Sequence, residues 1–66
     1  MKIGDLVRVK WTYKVSKMRS QNVIKEWARD NTPLLIIDVL KNDRMLVSAD
    51  SQDEIIHSVD LTMRMW

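Results

Sequence analysis

Through residues 5–14 apolar and polar side chains alternate, with Val7, Val9, Trp11 and Tyr13 on one side and Arg8, Lys10, Thr12 and Lys14 on the other. A period of two predicts a half-buried strand with one face on a core. The pairing of Trp11 and Tyr13 with Val7 and Val9 places both rings in that core or beneath a helix. Gly4-Asp5 ahead of the strand supplies turn chemistry, because Gly tolerates positive φ and Asp bonds its own downstream backbone. Across residues 16–31 the alternation is lost. Val23, Ile24, Trp27 and Ala28 instead recur at the spacing of one helical stripe, and Trp27 anchors that helix to the core. Ser20 or Asn22 can serve as its N-cap. Asn31-Thr32-Pro33 marks its end, since Asn tolerates the left-handed region and Pro disfavours helix in the residue before it.

Beyond Pro33 the pattern is strands joined by tight turns. Residues 34–40 form a continuous apolar run broken only by Asp38, which predicts a central strand covered on both faces. Residues 41–44 form a hairpin turn in which Asn42 and Asp43 are the residues best able to take positive φ. A strand follows at residues 45–49, with Met45, Val47 and Ala49 on one face and Leu46 on the other. A polar turn at residues 50–53 leads to a strand at residues 54–59, and residues 59–61 form a single 3₁₀ turn in which Asp60 is a local turn or cap residue. Residues 62–66 make the last strand. Links this short force antiparallel neighbours. The expected architecture is mainly β: a small five-stranded curled barrel with a short α-helix inserted between strands 1 and 2.

The opening Lys2-Ile3-Gly4-Asp5-Leu6-Val7-Arg8-Val9 resembles the G-D-x-V-x-V start of many SH3-like barrels. The hairpins and the closing Val59-Asp60-Leu61 turn resemble the later strands of that fold. Stand-alone chains of this size and pattern are similar to small SH3-like proteins encoded by bacteriophages. The resemblance implies an SH3-like barrel and a location in the host cytoplasm or the virion. It implies no proline-rich ligand, because peptide-binding SH3 domains hold polyproline in a Tyr-rich groove, whereas this chain has one Tyr and no Phe. Ribosomal KOW-type barrels share the first strand but use an internal Gly that is absent here.

Composition narrows the functional classes. A chain of 66 residues is one domain, 1–66, and a domain of this size buries only about 60% of its unfolded surface, which leaves little material for a deep cleft. There is no cysteine, so disulfides and thiolate metal sites are excluded. No apolar run approaches the ~20 residues of a membrane span, and the N-terminal residues carry no signal-peptide apolar region. The net charge of +2 conceals two opposed segments. Residues 1–29 hold eight basic and two acidic side chains, a balance of +6, and residues 30–66 hold three and seven, a balance of −4. Such polarity suits either a polyanion partner or copies that pair through complementary faces.

Few residues of the chain qualify as catalytic candidates. His57 is the one histidine. Its neighbour Ser58 points to the opposite face of a strand, so Ser58, His57 and Asp60 do not form a triad, and His57 is an ordinary strand residue. Asp50, Asp53 and Glu54 lack the spacing of a calcium loop and read as a solvated acidic turn. One glycine excludes a Gly-rich phosphate loop. The sequence implies neither an enzyme nor a cofactor or metal.

Two surfaces remain. Arg8, Lys10, Lys14, Lys17 and Arg19 form a basic stripe able to contact polyanion phosphates, but with Trp11 and Tyr13 in the core it lacks a platform on which bases could stack. Met63, Met65 and Trp66 form a Met/Trp terminus suited to a protein interface. The chain is therefore expected to be a cytoplasmic, non-enzymatic interaction module acting through a protein partner or self-association, with nucleic-acid binding as the alternative.

Overall fold

The computed structural model describes residues 1–63 of the chain, in the order β1 (Leu6–Val9), α1 (Tyr13–Ser16), α2 (Val23–Asp30), β2 (Leu34–Val39), β3 (Arg44–Ala49), β4 (Gln52–His57), a 3₁₀ turn (Ser58–Asp60) and β5 (Leu61–Thr62). The strands form one open antiparallel sheet ordered β4-β3-β2-β1-β5. The expectation of five antiparallel strands with a helical excursion after the first is met. Strand 5 was expected over residues 62–66; it starts one residue earlier at Leu61, and residues 64–66 lie outside the described residues.

The first strand is shorter than its alternation predicts. Pairing stops after Val9, and the Lys10 N–H still donates to the Asp60 carbonyl at 2.8 Å. Thr12 then takes an extended conformation and its Oγ1 accepts the Val15 N–H at 3.2 Å, which starts α1. The helical turn rotates Val15 into the core and carries Trp11 and Tyr13 away from it. Trp11 is 52% exposed and Tyr13 77%, so the expectation that these rings are buried is overturned. Alternation between residues 10 and 14 disguised a cap and a single turn of helix.

The expected helix over residues 16–31 is confined to α2. Asn22 is its N-cap, with Oδ1 accepting the Ile24 N–H at 2.8 Å. At the other end Asn31 adopts φ 52°, and the Thr32 N–H closes onto the Trp27 carbonyl at 3.0 Å. Lys25 joins the two helices by donating from Nζ to the carbonyls of Ser16 and Met18, at 3.2 and 3.1 Å. Those carbonyls lie at and just past the end of α1, where a helix has no internal donors left to offer.

Both hairpins turn without glycine. Asn42 and Asp43 both sit at φ 59°, as anticipated, and Asp50 and Ser51 sit at φ 52° and 63°. The second turn is therefore the two residues Asp50-Ser51, tighter than the expected four. Gln52 and Asp53 belong to β4, which ends at His57 rather than at Val59. Gly4, at φ 95°, is the one glycine and occupies a backbone conformation that side chains disfavour.

A single core lies on one side of the sheet. Val7 and Val9 from β1, Leu34 and Ile36 from β2, Met45 and Val47 from β3, Ile56 and Leu61 meet Val15, Trp27 and Ala28 from the helices, with Met18, Val23, Ile24 and Ala49 around them. Trp27 is 3% exposed and, among the described residues, is the one aromatic side chain in this core. The expectation that β2 is covered on both faces fails, since its side chains alternate and Leu35 and Ile37 are open. Registration shifts between Ile36 and Asp38: Ile36 opposes Val47 and Asp38 opposes Leu46, leaving Ile37 as an extra residue. This β-bulge turns Asp38 to the outward side, where strict alternation from Leu34 and Ile36 would aim it at the core.

Candidate functional site

Between Asp5 and Glu26 the chain contains no carboxylate, and the structure brings much of this stretch to the surface. Lys10, Trp11, Tyr13, Lys14, Lys17 and Arg19 are all exposed. Thr12 and Val15 hold the segment in place, the first as a cap and the second as the buried peg of α1. The polar and aromatic side chains around them are thereby directed outward.

Within this segment Tyr13 and Lys17 are one helical turn apart, and the Lys17 ammonium lies 4.9 Å from the centroid of the Tyr13 ring. A cation on the ring quadrupole is favourable, on the order of 0.5–1 kcal/mol at exposed sites. It also fixes the ring while leaving most of it open. Lys14 Nζ meets Asp60 Oδ2 at 2.6 Å, which ties α1 to the 3₁₀ turn. Among the described residues the ion pairs are Lys14–Asp60 and Arg29–Asp30, so Lys10, Lys17 and Arg19 face solvent without a carboxylate partner there.

The expected basic stripe is thus redistributed. Arg8 stands on the outward face of β1, with its Nη1 donating to Asn31 Oδ1 at 3.2 Å at the end of α2. It is anchored to a different element from Lys14. Lys10 and Lys14 do not share a strand face with it, because the strand ends before them. Lys17 and Arg19 follow α1, and Arg19 lines an open depression with Gln21 and Asn22. Four of the five basic candidates are therefore grouped on one short segment with two exposed rings.

The other candidates have local roles. His57 is exposed at the end of β4, and its Nδ1 accepts the Val59 N–H at 3.1 Å, capping the 3₁₀ turn. Asp60 lies in that turn and is engaged by Lys14. A groove of about 270 Å³ runs between the end of β4 and the helices, lined by Met18, Ile24, Ile55 and Ile56 with His57 and the Lys14–Asp60 pair. No group of three or more potential metal ligands occurs among the described residues. Of the expected terminal interface, Met63 is 52% exposed, whereas Met65 and Trp66 lie outside the described residues.

One exposed surface was not anticipated: the outward face of the sheet, with Leu6, Leu35, Ile37 and Ile55 open and Leu46 half-buried among them. The alternation of Leu6 against Val7 and of Leu35 against Ile36 carried the signal.

Comparison with known protein families, curated proteins and solved structures gives no match.

Proposed function

We propose that this chain is a small, non-enzymatic barrel module that binds single-stranded nucleic acid through residues 10–19. The exposure of Trp11 and Tyr13 carries the reading. Stacking of a base on an aromatic ring contributes about 1–3 kcal/mol and is open to any base, and the strand's backbone needs cations beside the rings. Lys10, Lys14, Lys17 and Arg19 supply them on a segment free of carboxylates. The SH3-like assignment, including the likeness to phage-encoded barrels, belongs to the same proposal. Its support is the short β1, the excursion before β2, the two hairpins and the 3₁₀ turn before β5.

The test is fluorescence anisotropy with labelled single-stranded and duplex oligonucleotides at several salt concentrations. The reading requires preference for the single strand and a log K against log salt slope of about −2 to −3, from three or four phosphate contacts at about 0.7 each. No binding at low salt, or equal binding to duplex, overturns it.

A second reading, a module acting through protein contacts, is favoured by the apolar outward face of the sheet. That face and the basic segment use different residues and meet at the β4 edge, where Ile55 lines a groove with Lys14, so the two activities are compatible in one chain.

A further inference from the structure

We propose that the outward face of the sheet pairs with the same face of a second copy of this chain, forming a two-fold dimer that leaves both basic segments open. This rests on the protein-contact reading and names its partner. Register places the residues of the face in rows. Leu6 opposes Leu35, Leu35 opposes Ser48, and Ser48 opposes Asp53 in one row; Asp38 opposes Leu46 and Leu46 opposes Ile55 in the next, with Ile37 at the bulge beside them. An apolar strip therefore crosses four strands. The core and both helices lie on the other side, so no element of the described chain covers this one.

Size and charge identify the occupant. Leu6 and Ile55 are each 55% exposed and Leu35 42%, and with Ile37 they open on the order of 400 Å² of apolar surface. That is about half of the ~800 Å² each partner contributes to a standard interface, the remainder falling to a polar rim. The rim is balanced in sign. Arg8 stands on β1 at one side of the strip, and Asp53 stands on β4 at the other. A two-fold axis along the strands lays the β1 side of one copy over the β4 side of the next, so each Arg8 side meets an Asp53 side. Asp38 and Arg44 add one further charge of each sign to the outward face. A nucleic acid or an anionic lipid surface would meet the carboxylates of Asp38 and Asp53 here, whereas a second copy meets its own complement. Isologous pairing needs this self-complementarity.

Sedimentation equilibrium of the full chain from about 10 µM to about 1 mM separates the outcomes, since a dimer of this size is concentration-dependent. The expected result is a monomer–dimer equilibrium that weakens at least tenfold in Leu35→Lys and in Ile55→Lys, with both variants keeping the wild-type circular dichroism spectrum. Ile55→Lys lies on the edge strand, where lysine is well tolerated, and guards against a folding defect at Leu35. A dimer that persists unchanged in both variants overturns the outward-face assignment while the protein-contact reading stands. A chain that remains monomeric throughout overturns the inference and counts against that reading as well.

Discussion

The Lys14 ammonium and the Asp60 carboxylate meet at 2.6 Å, joining α1 to the turn that precedes β5 across 46 residues of sequence. The Asp60 side chain is largely covered at 14% exposure, while that of Lys14 is open at 64%. The pair therefore sits where structure and binding meet: Asp60 holds α1 against the sheet and at the same time occupies a cation on the basic segment. Because Lys14 is mostly solvated, its contribution to stability is modest. Asp60→Asn is expected to cost about 1 kcal/mol in a thermal melt. The same variant releases Lys14 for phosphate, so single-strand affinity rises at low salt and the salt slope steepens by about 0.7. A variant that is less stable but binds more tightly would separate the two roles of this pair.

Trp11→Ala and Tyr13→Ala each remove an exposed ring with no place in the core. Each is expected to weaken single-strand binding by about 1–3 kcal/mol, read by anisotropy. Unfolding free energy should stay within about 0.5 kcal/mol of wild type, the usual range for surface positions. Loss of stability without loss of affinity would return these rings to a structural role.

Trp27 provides the opposite case. It joins α2 to the core at 3% exposure, and truncation to Ala is expected to cost about 3–5 kcal/mol. Since small domains are held by only about 5–15 kcal/mol, urea titration of Trp27→Ala should show a strongly lowered midpoint or a chain unfolded without denaturant.

The three tryptophan and tyrosine positions in the first half of the chain show how far the sequence was legible. Trp27 was placed correctly because its neighbours Val23, Ile24 and Ala28 repeat at helical spacing over a full element. Trp11 and Tyr13 were not, because α1 is a single turn, too short to display a period of its own, and strand alternation ran on through it by coincidence. What fixes α1 is one side-chain bond from Thr12, a signal carried by a single residue. The turns at Asn42-Asp43 and the caps at Asn22 and Asn31 were readable for the converse reason: their chemistry is local, and Asn and Asp report backbone conformation directly. The outward face was hidden because a continuous apolar run in β2 looks the same whether its second face is covered by the chain's own layer or left open. The regrouping of Lys10, Lys14, Lys17 and Arg19 away from Arg8 followed from the same early end of β1.

Ser51 is the least suited of the left-handed residues to its backbone. It sits at φ 63° in a two-residue hairpin turn, where glycine is preferred at the second position. Ser51→Gly is expected to stabilise the chain by roughly 0.5–1 kcal/mol and to raise Tm by about 2–8 °C, measured by thermal melting. Binding should be unchanged, since the turn is remote in sequence from residues 10–19.

The bulge at Ile37 sets how the chain tolerates changes in length. The two halves of β2 are out of phase by one residue, and the extra residue makes the phases compatible with a single inward face. Deleting Ile37 would restore regular pairing, with Ile36 still opposite Val47 and Asp38 still opposite Leu46, so both halves of the strand keep the side chains they present inward. Loss of a residue from a regularly paired strand such as β3 would do more damage, because it reverses the faces of everything on one side of the deletion. The hairpin turns are the sites where added residues are best absorbed.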